Sequence, residues 1–404
     1  MSTVHLCLNC WRTPSNEALY YRCDACGDRD LPAWMQRPGD GEGLRRVQTL
    51  KRPWYRRLLS DSSGPPQCPK HPSANLKLFC RCGYPLTERA ALEQSTPFAL
   101  GIAGPRSAGK TVYLITLMNE IRRLEIGRRK LGLVGLDDTE ERLHQLAAGF
   151  YDHGEKPRAT PPALSEAPAW EKGQHHANSG QGNSGHGNFG WTLTLDDGRR
   201  RPTPPMLIVA SDVGGETWNL PGHQRQAFFD RYLDLVGSLI LLVDGMALAA
   251  DLGIAVEDAW DAHPPAGDRG AETRQHFSRV LERLGPRARR VDLAVAVSKA
   301  DVLWQHGVLE KNPLTASGKR RRRALAKPDP DNAIEKALFD SQRRDIVVEA
   351  RRRFRSVGLF AFSSLGFLPA GDDVDEDVRL RRRAEPEGVS APFVWLLEKR
   401  LKFS

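Results

Sequence analysis

The sequence lacks cysteine over most of its length and has no long apolar segment. All seven cysteines lie within the first 82 of 404 residues, so the rest of the chain can form neither a disulfide framework nor a thiolate metal site. The most apolar run, LVGSLILLVDGMALAA, contains Asp244 and is too short to span a bilayer. The first residues, MSTVHLCLNCW, lack the charged and apolar regions of a secretory signal. We therefore expect a cytoplasmic protein without a transmembrane segment.

The sequence also lacks an excess of acidic residues over basic ones. The chain has 59 lysines and arginines against 50 aspartates and glutamates, which gives a net charge of +9. A basic balance is compatible with an acidic partner, such as nucleic acid or an anionic surface. Much of the excess lies in two short runs, KRRRR at 319–323 and RLRRR at 379–383. Such runs are also typical of solvated loops, so nucleic-acid binding stays an open alternative.

Two groups of cysteine and histidine near the start of the chain have the spacing of zinc ligands. The first group has two CxxC pairs in CLNCWRTPSNEALYYRCDAC, and the second combines CxxH with CxC in CPKHPSANLKLFCRCG. The candidate ligands are Cys7, Cys10, Cys23 and Cys26 in the first group, and Cys68, His71, Cys80 and Cys82 in the second. Four protein ligands close a tetrahedral site and leave no position for a catalytic water, so these two Zn²⁺ sites would be structural. The alternatives are disulfides, and a second site of three thiols beside an incidental histidine.

The head of the chain is predicted to contain a zinc ribbon over 1–36, a linker over 37–67 and a second zinc-binding module over 68–92. Several glycines and the DSSGPP turn indicate the linker. We favour docking to a protein partner as the role of this head. The basic and aromatic stretch RRVQTLKRPWYRR leaves nucleic-acid binding as the alternative.

The stretch GPRSAGKT matches the phosphate-loop pattern GxxxxGK[ST]. It follows an apolar strand pattern, FALGIAG, and precedes a helical pattern, TVYLITLMNEIRRLE, which is the order that a phosphate loop requires. The candidate nucleotide-binding residues of this loop are Gly104, Pro105, Arg106, Ser107, Ala108, Gly109, Lys110 and Thr111. Backbone N–H groups of the loop would face phosphate oxygens, Lys110 would neutralise them, and the Thr111 hydroxyl would bind Mg²⁺. Arg106 is either an internal contributor to catalysis or an exposed side chain.

Three later stretches of the sequence indicate which nucleotide the phosphate loop would bind. After the strand PMLIVAS, the stretch DVGGE supplies Asp212 as an indirect Mg²⁺ ligand and the N–H of Gly215 for the γ-phosphate. After the strand DLAVAV, the stretch SKAD supplies Ser298, Lys299 and Asp301. A carboxylate in this turn accepts hydrogen bonds from N1–H and the 2-amino group of guanine, and adenine has no such donor pair. The alternative for SKAD is an exposed turn that begins a helix.

The last stretch, VGLFAFSSLG, ends a strand in Ser363, Ser364 and Leu365. A backbone N–H here, that of Ser364, would meet the guanine O6. Taken alone, this stretch does not indicate nucleotide binding; it does so only together with the three motifs that precede it.

The four motifs in this order resemble the translation-factor-related (TRAFAC) class of P-loop GTPases, the group that includes Ras-like proteins. The resemblance covers about residues 97 to 403 and implies GTP or GDP and Mg²⁺ as ligands, with hydrolysis of GTP. The tail APFVWLLEKRL and the zinc-binding head also resemble bacterial GTPases of conflict and defence systems, the double-GTPase-like proteins.

This resemblance also implies catalytic residues. A loop threonine should complete the magnesium shell, and we assign Thr160 in RATPPALSE to it, in preference to three threonines that fall in a predicted helix or strand. With Lys110 and Glu216, it forms the predicted catalytic set. The chain departs from the class at two positions: Ser298 stands for the usual Asn or Thr, and Glu216 stands where many relatives have a water-orienting glutamine. Glu216 can act as a base if its pKa is raised; otherwise a partner would supply an arginine.

The predicted fold class is α/β, a three-layer P-loop NTPase with a mixed, mostly parallel sheet, preceded by the small zinc-ribbon region. The predicted strands are 98–103, 191–196, 206–211, 236–243, 292–297 and 358–363, and the predicted helices are 110–125, 138–150, 271–284, 333–355 and 391–402. The GTPase domain is expected over 97–404, with a flexible insert at 152–190 and a basic insert at 311–332.

The leading functional hypothesis is a GTP-hydrolysing switch whose head docks a partner, in a conflict, defence or signalling system. One alternative is a scaffold that binds GTP with little hydrolysis. The other is a zinc-ribbon nucleic-acid-binding protein that an NTPase domain regulates, which would show steep salt dependence of binding.

Overall fold

The computed structural model describes most of the region after residue 95 and three short segments before it. The described residues are 19–23, 76–80, 85–86, 96–105, 108–122, 125–126, 129–135, 139–157, 187–196, 206–212, 232–255, 267–310, 333–341, 343–370, 373–374 and 379–401. The chain divides into two compact units. The first comprises Met1–Ser95, Ser165–Ser184 and Gln226–Tyr232, and the second comprises Thr96–Leu164, Gly185–Arg225 and Leu233–Ser404.

The described residues form strands and helices, of which the first three strands belong to the first unit and the other elements to the second. The strands are β1 (Leu19–Cys23), β2 (Leu76–Cys80), β3 (Pro85–Leu86), β4 (Thr96–Ala103), β5 (Glu125–Ile126), β6 (Arg129–Gly135), β7 (Gly187–Asp196), β8 (Met206–Asp212), β9 (Val236–Asp244), β10 (Asp292–Ser298) and β11 (Ser356–Ala361). The helices are α1 (Lys110–Ile121), α2 (Thr139–Asp152), α3 (Gly245–Asp251), α4 (Gly267–Leu284), α5 (Asp301–Gln305), α6 (Ala333–Asp340), α7 (Arg344–Arg353) and α8 (Ala391–Leu401), and a 3₁₀ helix covers Gly285–Arg290. Among the residues described, no helix combines the length and hydrophobicity needed to cross a membrane.

The second unit is built on one mixed sheet with the strand order β11-β10-β9-β4-β8-β7-β6-β5. The five strands from β11 to β8 are parallel to one another, and β7, β6 and β5 continue the sheet in antiparallel pairs. The expected α/β class with a mixed, mostly parallel sheet is confirmed. The carboxyl ends of β4, β9, β10 and β11 therefore meet at one edge of the sheet.

The central strands are covered on both faces. Every residue of LILLV at 239–243 in β9 is fully buried. Ile240 and Leu242 share a core cluster with Leu117 of α1 and Phe393 of α8, which places both helices on one face. The residues between them point to the opposite face and are equally buried, as expected for a parallel strand between two helical layers.

An ion pair between the buried Asp292 and the exposed Arg355 links β10 and β11 at the edge where they begin. Asp292, at the start of β10, is 1% exposed and lies opposite Ser356 in the ladder. Its carboxylate accepts hydrogen bonds from the Arg355 guanidinium, with Nε at 2.8 Å, and from the Ser356 hydroxyl at 2.6 Å. The hydrogen bond to Asp292 raises the pKa of Arg355 above its ordinary value.

The structure corrects three details of the predicted elements. The helix predicted over 110–125 ends at Ile121, and the next residues form the β5–β6 hairpin, in which Ile126 pairs with Arg129. The apolar run after β9 folds as a separate short helix, α3. The helix predicted over 333–355 is two helices. The Ser341 hydroxyl and the Arg343 N–H both donate to the Leu338 carbonyl, at 3.1 Å and 2.8 Å, and this closes α6.

A buried cation lies at the break between α6 and α7. Arg343 is 1% exposed and its guanidinium pairs with Asp251 at the end of α3. A buried arginine needs a carboxylate partner, and Asp251 supplies it. Burial lowers the pKa of Arg343, and Asp251 opposes that shift.

The described part of the first unit is a three-stranded antiparallel sheet, β1-β2-β3. In its ladder Leu19 lies opposite Cys80, and Cys23 lies opposite Leu76. The two cysteines are thus at opposite ends of five residue pairs, about 13 Å apart along the strands, which is too far for both to bind one zinc ion. This agrees with their assignment to different ligand groups. The other six candidate zinc ligands and the whole predicted linker lie outside the described residues, so the zinc sites and the division of the head stay predictions.

Candidate functional site

The phosphate-loop pattern lies between β4 and α1, at the edge where the parallel strands end. Gly109 immediately precedes α1 with φ 78°, a left-handed conformation that glycine adopts without strain. Gly104 has a different role, because a Cβ there would lie 3.0 Å from Leu242 Cβ and 3.1 Å from the Leu242 carbonyl oxygen, which is tighter than ordinary van der Waals contact. The two glycines of the motif therefore serve a backbone turn and a close approach to β9.

Lys110 concentrates positive charge at this loop. Its side chain is largely buried, and Nζ donates to the carbonyl oxygens of Gly104 at 3.0 Å and Pro105 at 2.8 Å. Lys110 is also the first residue of α1, whose first turn contains no acidic residue. A cation beside the positive end of a helix dipole is unfavourable for the helix by itself, and the same arrangement attracts an anion. The loop is therefore suited to bind phosphate.

A histidine from another helix contacts the beginning of the loop. His276 of α4 is buried, and its Nε2 accepts a hydrogen bond from the Gly104 N–H at 3.0 Å. Burial above all, together with the nearby charges of Lys110 and Arg283, lowers the pKa of His276 from 6.5 to about 3. The ring is thus neutral near pH 7, as an acceptor at Nε2 must be. The Gly104 N–H is directed to this imidazole, unlike the phosphate-facing N–H groups expected along the loop.

The SKAD stretch forms a tight turn between β10 and α5. The Ser298 hydroxyl donates to the Val243 carbonyl at 3.2 Å, and Lys299 has a left-handed φ of 50°. Asp301 is 5% exposed and is the first residue of α5. The sequence analysis leaves open an exposed turn that begins a helix; the turn does begin a helix, but its carboxylate is buried.

The SSL stretch lies beside the SKAD turn and beside α1. The Ala300 N–H donates to the Phe362 carbonyl at 3.0 Å, which joins the two turns directly. The Ser363 hydroxyl accepts from the N–H groups of Leu365 and Gly366, at 3.2 Å and 2.7 Å, and this shapes the second turn. The hydroxyls of Ser364 and of Thr116 in α1 are 3.3 Å apart. The structure therefore brings both turns and the helix that follows the phosphate loop together.

Asp244 and Gly245 also belong to this site, and the sequence analysis missed them. Asp244 ends β9, is 1% exposed, and accepts a hydrogen bond from the Met246 N–H at 3.0 Å. Its Oδ1 lies 3.9 Å from Lys299 Nζ. A Cβ on Gly245 would come within 2.4 Å of the Ser298 carbonyl oxygen. A signal was present in the sequence, since an aspartate and a glycine interrupt an otherwise apolar run at a strand end.

Two predicted magnesium ligands fall at the same edge of the sheet. Thr111 is the second residue of α1 and is half-buried. Asp212 is the last residue of β8, which pairs with β4, and only its place in the strand is described. A hydroxyl and a carboxylate suit Mg²⁺, which prefers oxygen ligands. Within the described ranges no group of three or more His, Cys, Asp or Glu is placed to hold a metal ion.

Several predicted site residues fall outside the described ranges. They are Arg106, Ser107, Thr160, Gly215 and Glu216 in the nucleotide site, and Cys7, Cys10, Cys26, Cys68, His71 and Cys82 in the head. The basic insert at 311–332 also lies outside them, as does most of the insert at 152–190, although β7 already begins at Gly187.

No family model matches this chain, and no curated protein matches it. Among solved structures it is similar to the Arl6 BBS3 small GTPase from Trypanosoma brucei with bound nucleotide analogue GppNp. The two chains are 13% identical, the match covers 76% of this chain and 100% of the other, and the TM-score is 0.31. At this TM-score the likeness adds nothing to the geometry described above.

Proposed function

We propose that this chain is a Mg²⁺-dependent switch protein that binds and hydrolyses GTP, a TRAFAC-class P-loop GTPase with a Ras-like G domain. The observation that carries the proposal is the meeting of the phosphate loop (104–111) with the two base turns (298–301 and 363–365) at one edge of the sheet. A phosphate loop alone serves any nucleotide. Two joined turns beside it, one holding a buried carboxylate, are what recognition of a purine base requires.

The phosphate end of the site depends on electrostatics. Lys110 Nζ is anchored by two loop carbonyls, and the N-terminus of α1 adds its dipole. Both favour the charged triphosphate and the charge that develops when its terminal bond breaks. Lys110 is therefore assigned to both binding and catalysis.

The base end of the site selects guanine. The buried Asp301 carboxylate would accept from N1–H and the 2-amino group, and the Lys299 stem would cover the base. Asp244, 3.9 Å from Lys299 Nζ, would hold that lysine in place. An adenine here would leave the carboxylate without donors, and a buried polar group without a partner is costly. The Ser364 N–H in the 363–365 turn would meet O6.

The hydrolytic step is assigned to residues around the γ-phosphate position. Thr111 and Asp212 would hold Mg²⁺, which when bound supplies neutralising charge to the β- and γ-phosphate oxygens. Thr160 would complete the shell, the Gly215 N–H would bind the γ-phosphate, and Glu216 would orient or deprotonate the attacking water. A carboxylate in that place predicts slow hydrolysis unless a partner protein contributes an arginine.

A nucleotide competition experiment tests the proposed specificity. Fluorescent GDP is bound with Mg²⁺ and displaced with GTP or ATP, for the wild type, for Asp301→Ala and for Asp345→Ala, an exposed aspartate of α7 that serves as the control. We expect GTP to compete at least about 100-fold better than ATP in the wild type and the control, and Asp301→Ala to lose the preference. Equal competition by ATP in the wild type would make the chain a general P-loop NTPase.

The biological setting proposed is cytoplasmic, in a bacterial conflict, defence or signalling system, with the zinc-binding head as the docking module for a protein partner. The spacing of the eight candidate ligands supports two structural Zn²⁺ sites. Single-turnover hydrolysis separates this switch from a GTP-binding scaffold, because the scaffold would keep bound GTP intact with every candidate partner. Nucleic-acid binding that weakens steeply with salt would instead favour the regulated nucleic-acid-binding protein.

A further inference from the structure

His276 makes a contact that the proposed nucleotide chemistry does not explain. It lies on α4, 172 residues beyond the loop it touches, and is 2% exposed. Its Nε2 is 3.0 Å from the Gly104 nitrogen, an ordinary hydrogen-bond length. A buried backbone N–H needs an acceptor, and the imidazole of His276 supplies one here.

The two sides of Gly104 are engaged by different groups. Its N–H donates to the imidazole, and its carbonyl accepts from Lys110 Nζ at 3.0 Å. A Cβ on Gly104 would lie 3.0 Å from Leu242 Cβ and 3.1 Å from the Leu242 carbonyl oxygen, so even a methyl group would displace β9 by a few tenths of an ångström. Gly104 is thus the point through which a residue of α4 acts on the lysine of the phosphate loop.

We propose that His276 is a positioning residue of the phosphate loop: its unprotonated Nε2 holds the Gly104 N–H and so fixes the carbonyl that anchors Lys110. The inference rests on the proposed function, since it gives the purpose of that anchor as holding the ammonium for phosphate. It also ties α4 to the loop, so a displacement of this helix shifts Lys110.

The charges around the ring agree with an acceptor and not with a charged donor. Lys110 approaches it from α1, and Arg283, two turns further along α4, approaches from its own helix. Both are cations, and a protonated imidazole between them would be repelled by each. Protonation would also remove the lone pair that binds the Gly104 N–H.

Three variants separate positioning from packing. His276→Gln keeps an acceptor at the place of Nε2, whereas His276→Leu keeps the bulk and removes the acceptor. Phe277→Leu is the matched control: Phe277 is equally buried on α4, and its ring centroid lies 6.4 Å from that of Phe354, away from the loop. If His276→Leu does not fold, His276→Asn replaces it, because its shorter side chain withdraws the acceptor.

Hydrogen exchange of the nucleotide-free protein is the first measurement. We expect His276→Leu to speed exchange in the peptide over 101–110 about tenfold or more, His276→Gln to restore it, and Phe277→Leu to leave it unchanged, with β10 as the internal reference. Affinity for Mg²⁺–GDP should follow the same order, about tenfold weaker in His276→Leu and within about threefold of the wild type in His276→Gln.

The binding and exchange measurements test the proposed function and the positioning role of His276 separately. If the wild type binds neither GDP nor ATP, the proposed function is wrong, and the exchange data still decide whether His276 holds the loop. If exchange over 101–110 in His276→Leu equals that of the wild type, or if the glutamine and leucine variants behave alike, the positioning role is refuted.

Discussion

Replacement of Gly245 by alanine tests whether the end of β9 positions the first base turn. The added Cβ would lie 2.4 Å from the Ser298 carbonyl oxygen and 2.8 Å from that of Lys299. Both contacts are with backbone, so no flexible side chain can move aside. Because ordinary contact begins near 3.4 Å, the turn must withdraw by about 1 Å.

That displacement acts on the residues that would read the base. Ser298 pairs with Asp244 in the parallel ladder, and the Ala300 N–H bonds the Phe362 carbonyl. Overpacking of this kind costs about 1–3 kcal/mol of stability. A shift of about 1 Å in a binding turn costs on the order of 100-fold in function. We expect Gly245→Ala to bind Mg²⁺–GDP roughly 10- to 100-fold more weakly and to discriminate less between GTP and ATP.

Displacement of fluorescent GDP by GTP and by ATP measures both effects, and urea unfolding corrects for lost stability. Gly237→Ala is the control, because Gly237 lies on the same strand and a Cβ there meets nothing within 4 Å. It should match the wild type in every assay. If Gly245→Ala retains wild-type affinity and guanine preference, the base is not read by this turn, and the reasoning is refuted.

Two further predictions concern the phosphate loop. The pKa of His276 in the folded protein, about 3, lies below its unfolded value of about 6.5, so the unfolded chain binds the proton first as the pH falls. This stabilising contribution is complete above about pH 6.5 and is lost toward pH 3. Between pH 7 and pH 5, the free energy of unfolding measured with urea should therefore fall by about 2 kcal/mol less in His276→Gln than in the wild type. Equal losses in the two proteins would contradict the prediction. Lys110→Met removes a buried cation from a helix N-terminus, so the free energy of unfolding should change by less than about 1 kcal/mol while affinity for Mg²⁺–GDP falls about 100-fold. A variant that unfolds readily, or that binds GDP normally, would be inconsistent with that role.

The parts of the fold that could be predicted are those whose local pattern agrees with their final environment. The runs SLILLV and DLAVAV are apolar throughout because both faces of β9 and β10 are covered, and such runs indicate buried parallel strands. The β5–β6 hairpin was missed since its strands are rich in arginine, lysine and glycine and lie at the edge of the sheet. The ion pair between Arg343, at the break after α6, and Asp251 joins residues far apart in the chain, and no local pattern reports it.

The candidate site likewise contains some residues that a local sequence pattern predicts and others that it does not. One sequence motif contains Gly104, Gly109 and Lys110, because a phosphate loop is a local structure that constrains neighbouring residues. The meeting of the two base turns could be expected from the parallel order of their strands. The contact between His276 and Gly104 could not, since an isolated histidine on an amphipathic helix has the same appearance whether it faces a loop or the core.

The most direct test of the central claim is to exchange the base that Asp301 would recognise. Xanthine has a carbonyl where guanine has its 2-amino group, so the Asp301→Asn amide can donate to xanthine where the carboxylate accepts from guanine. Binding of GDP and XDP is measured for both proteins in Mg²⁺. We predict that the wild type prefers GDP by about 100-fold or more and that Asp301→Asn reverses the preference to XDP. A wild type that does not distinguish the two, or a folded Asp301→Asn that still prefers GDP, would contradict the assignment of this chain as a guanine-nucleotide switch.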